Sequence, residues 1–184
     1  MLRAWYVIDP IYYFFTRLRY VLDYHQNRTI FRVRLTRYKG APVKLSDGTM
    51  INKYDLLLKI HLHNERIIRE LEKIDGELKR AVFIYHQIKH AMPSLAYYVH
   101  SHHRQEPIKG VIGITSLHRG ANRLGFDVIP VKNPIYRLYK KMTFIFIDLI
   151  ANPQHKSPPC YLMMSKQTLF EKYMYDMLPK VNER

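Results

Sequence analysis

The sequence predicts an α+β domain: a mixed, mainly antiparallel sheet of five to six strands with helices packed chiefly on one face. Three observations predict it. Tyr54 to Glu65 alternates, with Leu56, Leu58, Ile60 and Leu62 on one face of a strand and Asp55, Lys59, His61 and His63 on the other; Leu57 is the only apolar intruder. Ile30 to Tyr38 alternates in the same way, with Phe31, Val33 and Leu35 opposed to Arg32, Arg34 and Thr36. Longer segments repeat apolar residues at helical spacing instead.

In chain order, Asp9-Pro10 reads as N-cap and first residue of a helix that carries Ile11, Phe14, Phe15, Leu18, Val21 and Leu22 inward and runs to about Tyr24. Its other face, with Tyr13, Arg17, Tyr20 and Tyr24, suits either the rim of a core helix or a helix lying on a membrane surface. After the strand Ile30 to Tyr38, Ser46-Asp47-Gly48 joins Pro42–Leu45 to Thr49–Ile51 as a hairpin, and an antiparallel meander into Tyr54–Glu65 is expected. Asn64 suits the N-cap of a short helix to Asp75 with Ile67, Ile68 and Leu71 inward.

Glu77 to Met92 is a longer helix with the stripe Leu78, Ala81, Val82, Tyr85, Ile88, Lys89 and Met92, stopped or kinked by Pro93, where Ser94 caps a continuation to about His100. Ile108 to Leu117 does not alternate and reads as a central or parallel strand, followed by a short helix ending at Gly125 and a strand from Asp127 to Val131. A second long helix spans Asn133 to Asn152, Tyr161 to Met164 is an edge strand, and Ser165 caps a final helix with Leu169, Phe170, Tyr173 and Met174 inward. The tail, residues 179–184, is expected to fray.

The 184 residues suit one domain, 1–184, and 47% of them are hydrophobic, enough for a full core. Thirty Lys and Arg oppose fifteen Asp and Glu, a formal charge of +15. That imbalance predicts an anionic partner: a phosphorylated or acidic glycan, an anionic lipid headgroup, or nucleic acid. The alternative is a solvated basic surface with no specific partner. Cys160 is the only cysteine, which excludes an internal disulfide and a cysteine zinc cluster. The basic, apolar N-terminus lacks a continuous apolar stretch and a small-residue cleavage site, so no signal peptide is predicted. No uncharged apolar run reaches the roughly 18 residues of a membrane span. The expected location is cytoplasmic, peripheral to the inner face of the membrane.

Two places can carry chemistry. Lys59, His61 and His63 lie on one strand face, and the two imidazoles, about 7 Å apart by strand rise, can exchange a proton near neutral pH. Lys59 beside them favours an anion over a metal, and Arg32 and Arg34 join the same basic surface if the two strands pair. Asn64 follows at the helix start. Asp55, about 20 Å from His61, is too distant to assist. The second place is the turn holding Ser116, His118 and Arg119, where a helix N-terminus and a guanidinium suit a phosphate. The order strand, Arg119-Gly120, helix resembles the pyrophosphate loop of the GNAT acetyltransferases, although Ala121, Asn122 and Arg123 stand where that family places glycines. Candidate catalytic groups are His61, His63 and His118; candidate anion ligands are Arg32, Arg34, Lys59, Asn64, Ser116 and Arg119. No metal site is predicted: the cluster His100, His102 and His103 has no carboxylate at ligand spacing. Walker, GxGxxG, GxSxG and HExxH patterns are absent from the sequence.

Asp55 to Asn64, His118 to Phe126, and Thr16-Arg17-Leu18-Arg19 together resemble the YkoP-like domains of spore-forming bacteria, and the resemblance covers most of the chain. Such domains occur alone or attached to polysaccharide deacetylases, which implies an envelope-glycan context and supplies no catalytic residues. The expected function is therefore an anion-binding protein of envelope polysaccharide or lipid-linked glycan metabolism, peripheral to the membrane. The alternatives are a transferase using a phosphate-bearing donor such as acyl-CoA at the Arg119 turn, and a nucleic-acid-binding protein. No cofactor is otherwise expected.

Overall fold

A computed structural model describes residues 18–103, 107–115, 118, 120–131 and 158–174. The expected helices at 10–17 and 133–152, the tail from 179, and both Ser116 and Arg119 lie outside the described residues.

The strands are β1 (Arg19–Leu22), β2 (Arg28–Arg37), β3 (Val43–Lys44), β4 (Met50–Ile51), β5 (Leu56–Leu62), β6 (Gly110–Thr115), β7 (Asp127–Pro130) and β8 (Cys160–Ser165). Among the described residues the helices are α1 (Asn64–Leu71), α2 (Glu77–His103) and α3 (Lys166–Tyr173), with a 3-10 turn at Ala121–Leu124. The fold is α+β, with a six-stranded mixed sheet in the order β1-β2-β5-β6-β8-β7. Every pairing in it is antiparallel except β5 with β6. The β5-to-β6 connection passes through α1 and α2, the helical crossover that a parallel pair requires.

One face of the sheet is covered by helices. Phe31, Val33, Leu58, Val111 and Met164 meet Met92, Leu95, Ala96 and Val99 of α2 and Leu169 of α3 in the main core. In α1, Ile67, Ile68 and Leu71 point inward as their spacing predicts. Ser165 Oγ accepts the Thr168 N–H at 2.9 Å and so caps α3, whose Leu169 and Tyr173 are buried.

The opposite face is split. At one end the β3–β4 hairpin covers a second core of Tyr38, Leu45, Ile51, Leu57, Ile112 and Met163. This explains Leu57, which interrupts the polar side of β5: the hairpin lies over it, and it is 1% exposed. The hairpin turn is fastened from both sides. Asp47 accepts from the Ser165 hydroxyl, from Thr168 Oγ1 at 2.9 Å and from the Thr49 N–H at 2.9 Å. Ser46 N donates to Asp127 Oδ2 at 3.0 Å. Burial opposes ionisation of Asp47, but the hydrogen bonds from Ser165, Thr49 and Thr168 outweigh it and hold the carboxyl below its usual range.

Several expectations change. Residues 19–22 form a strand, so the first helix does not continue to Tyr24; Tyr20-Val21 is a β-favouring pair that finds a partner in β2. The meander is interrupted: β2 pairs directly with β5, while β3–β4 stands apart as its own two-stranded sheet. Residue 63, not Asn64, is the N-cap of α1, and it makes no side-chain cap bond. α2 runs unbroken through Pro93 to His103, with Ser94 buried inside it instead of capping. Packing of Ala91, Met92, Leu95, Ala96 and Val99 holds the helix together where the missing Pro93 N–H would weaken it. The N-terminal part of the predicted stripe faces outward, with Leu78 79% and Val82 46% exposed, because Ile84 and Ile88 meet the α1 residues instead. β8 is not an edge strand: it lies between β6 and β7 and pairs with both. β6 is central and parallel to β5, as its non-alternating pattern predicts.

Candidate functional site

The other end of this face carries the predicted basic residues. Across the β2–β5 ladder, Arg32 stands opposite His61 and Arg34 opposite Lys59, so all four share a face. On the far side of β2, Tyr20 of β1 stands opposite Arg32. The His63 N–H donates to Ile30 O at 2.8 Å, which extends the ladder by one residue.

Tyr20 is the hub. Arg32 Nη2 donates to Tyr20 Oη at 2.7 Å, and its Cζ lies 4.9 Å from the ring centroid. Arg28 Cζ lies 4.6 Å from the same centroid. His63 meets the ring edge-on, with centroids 5.5 Å apart and planes at 68°. Two guanidiniums against one tyrosine are favourable cation–π contacts. A helical reading of Arg19–Leu22 hides the strand neighbours that bring Tyr20 to this face. The Arg28 carbonyl accepts from Arg66 Nη1 at 2.8 Å.

The site concentrates positive charge in partly dry surroundings. Arg32 is only 4% exposed. The Nε atoms of Arg32 and Arg34 and Nε2 of His61 are shielded from solvent, and Arg34 Nε has no hydrogen-bond partner among the described residues. Like charges directly opposite across a ladder, as Arg34 and Lys59 are, repel.

His118 follows β6. Because β5 and β6 run parallel, His118 is at the same end of the strands as His61 and His63 of β5. Past His118 the chain turns toward the helices: Gly120 adopts φ +81 beside the Tyr85 ring of α2, and Ala121 and Leu124 enter the main core. The helix at this turn is a single 3-10 turn of four residues, a short scaffold for a phosphate.

Asp55 lies at the other end of β5 and takes no part. Its Oδ2 accepts from Lys109 Nζ at 2.8 Å and from Asn52 N at 2.6 Å. Burial disfavours its charge, yet the Lys109 and Asn52 hydrogen bonds outweigh that and hold the carboxyl below its usual range. Among the described residues no group of three or more His, Cys, Asp or Glu is placed to hold a metal. His102 instead stacks on Tyr98 with centroids 4.1 Å apart. Cys160 is buried, which pushes its thiol pKa up and away from nucleophilic use. No helix among the described residues is long and apolar enough to cross a membrane.

The profile of the YkoP domain matches residues 1–173. The chain belongs to the YkoP family. It is similar to the uncharacterised protein YkoP of Bacillus subtilis (strain 168), with 47% identity over 176 residues that cover 94% of this chain and 95% of that one. No solved structure matches. The YkoP match takes in the whole basic face, from Tyr20 to His63, together with His118.

Proposed function

We propose that the face bearing Tyr20, Arg32, Arg34, Lys59, His61 and His63 binds an anion, and that the protein serves envelope polysaccharide or lipid-linked glycan metabolism. The observation that carries the binding is the β2–β5 register, which sets Arg32 against His61 and Arg34 against Lys59 on one face. Arg34, half-buried, offers its guanidinium to a ligand oxygen, and Arg32 is fixed in orientation by Tyr20. His61 and His63 supply proton-exchanging groups beside that ligand. The glycan class rests on the envelope context that the resemblance of the sequence implies, and the ligand it suggests is a phosphorylated or acidic saccharide. No reaction is assigned.

Calorimetric titration tests this with pyrophosphate, an oligogalacturonate and a neutral oligosaccharide of equal length. Binding of either anion and not of the neutral sugar is expected. The double variant Arg34→Ala, Lys59→Ala should lose at least about tenfold in affinity, since one charge-assisted contact is worth about that much. Equal affinity in wild type and variant, or no binding by wild type, overturns the reading.

A further inference from the structure

We propose that the outward face of α2 is a docking surface for an anionic lipid membrane. The proposal is independent of the sheet-face anion site.

α2 contains no acidic residue after Glu77: Leu78 to His103 holds Lys79, Arg80 and Lys89 and half of the chain's ten histidines. At about 100° per residue, Leu78, Val82, Lys89 and His100 fall within about 40° of one another around the axis. Lys79, His86 and Tyr97 lie about 40–60° further round on the same side. All seven are exposed. Leu78 is 79% exposed, Val82 46% and Tyr97 53%, unusual values for apolar and aromatic residues on a helix whose opposite side is core. The helix is about 40 Å long, so these residues line an extended ridge and not a point.

Charge decides the occupant. A second copy of this chain would bring an equally cationic ridge and a formal +15 against it. Nucleic acid would satisfy Lys79 and Lys89 but leave Leu78 and Val82 without a use. A membrane interface takes both kinds of group: Leu and Val enter the acyl boundary, Tyr sits at headgroup depth, and Lys reaches the lipid phosphates.

Flotation with vesicles of phosphatidylcholine, alone or mixed with phosphatidylglycerol, tests the proposal. Full-length protein should float with the anionic vesicles only, and added salt should weaken the binding. Leu78→Glu with Val82→Glu, and separately Lys79→Glu with Lys89→Glu, should each lower the bound fraction at least about tenfold, a loss of two favourable contacts in either case. These side chains are exposed, so melting temperatures should stay near wild type and separate loss of docking from loss of fold. Arg34→Ala with Lys59→Ala should float like wild type. No flotation by wild type, or flotation unchanged in both α2 variants, overturns the proposal. Loss confined to the Arg34 and Lys59 variant would place the contact on the sheet and also overturn it. Binding to RNA or DNA that the α2 variants lose, without flotation, would replace the membrane with nucleic acid.

Discussion

Arg32 Nη2 donates a 2.7 Å hydrogen bond to Tyr20 Oη, and the two residues stand directly opposite each other across β1 and β2. The contact ties the first described strand to the basic face. It also orients a guanidinium that is almost wholly out of water.

Tyr20→Phe removes the hydroxyl but keeps the ring beside Arg28 and Arg32. The lost bond has a charged donor, so the variant should be destabilised by about 1.5–3 kcal/mol. For a chain of this length that is a fall in melting temperature of about 3–12 °C, read by thermal denaturation. Tyr20→Leu should cost about 1 kcal/mol more, because the cation–π contacts go too. An unchanged melting temperature for both would show that Tyr20 is not the hub.

Asp47 joins the hairpin turn to the cap of α3. Asp47→Ala should destabilise by about 1–2 kcal/mol, the range for losing a cap interaction and its companion bonds. The pH dependence has a definite sign. The Asp47 pKa is lowered on folding, so its contribution is complete above the unfolded carboxyl value of about 3.9 and fades as pH falls through the lower folded value. Urea denaturation at neutral pH and in acid should therefore show a wild-type advantage over Asp47→Ala that shrinks only in acid. A constant difference down to the most acid condition would contradict it.

Leu57 and Leu78 reverse the ranking that pattern alone assigns them. Leu57 interrupts a polar strand face yet lies under the hairpin at 1% exposed, while Leu78 heads an apolar stripe yet is 79% exposed. Leu57→Ala should cost about 3 kcal/mol and Leu78→Ala less than about 0.5 kcal/mol. Chemical denaturation midpoints measure both.

Ser165 holds two roles, N-cap of α3 and donor to Asp47. Ser165→Ala should cost about 1–2 kcal/mol. Because the two sites share one network, the double variant with Asp47→Ala should cost less than the sum of the single losses, by about 0.5 kcal/mol or more. Strict additivity, measured by a double-mutant cycle, would argue against a shared network.

How much of this was legible varies with the kind of interaction. The inward spacing of α1, the Ser165 cap, the Gly125 stop and the Asp47-Gly48 turn are local, and their signals sit within a few residues, whereas α1 is capped at residue 63 and ends at Leu71 instead of Asp75. The strand Arg19–Leu22 was not legible because four residues of mixed character take their structure from a partner elsewhere in the chain. The unbroken path of α2 through Pro93 was hidden for a similar reason: the packing that outweighs a missing hydrogen bond is tertiary.

The basic site divides along the same line. Alternation alone determined that Lys59, His61 and His63 share one side of a strand and that Arg32 and Arg34 share one side of another, because successive side chains of a strand point to opposite faces. Tertiary structure decided that these are one surface. A slip of a single residue between β2 and β5 would have sent Arg32 and Arg34 to the helix-covered side, and only the long-range pairing fixes that register. It likewise decided that Tyr20 joins them, that the hairpin buries Leu57, and that the parallel run of β5 and β6 places His118 at the same end of the strands.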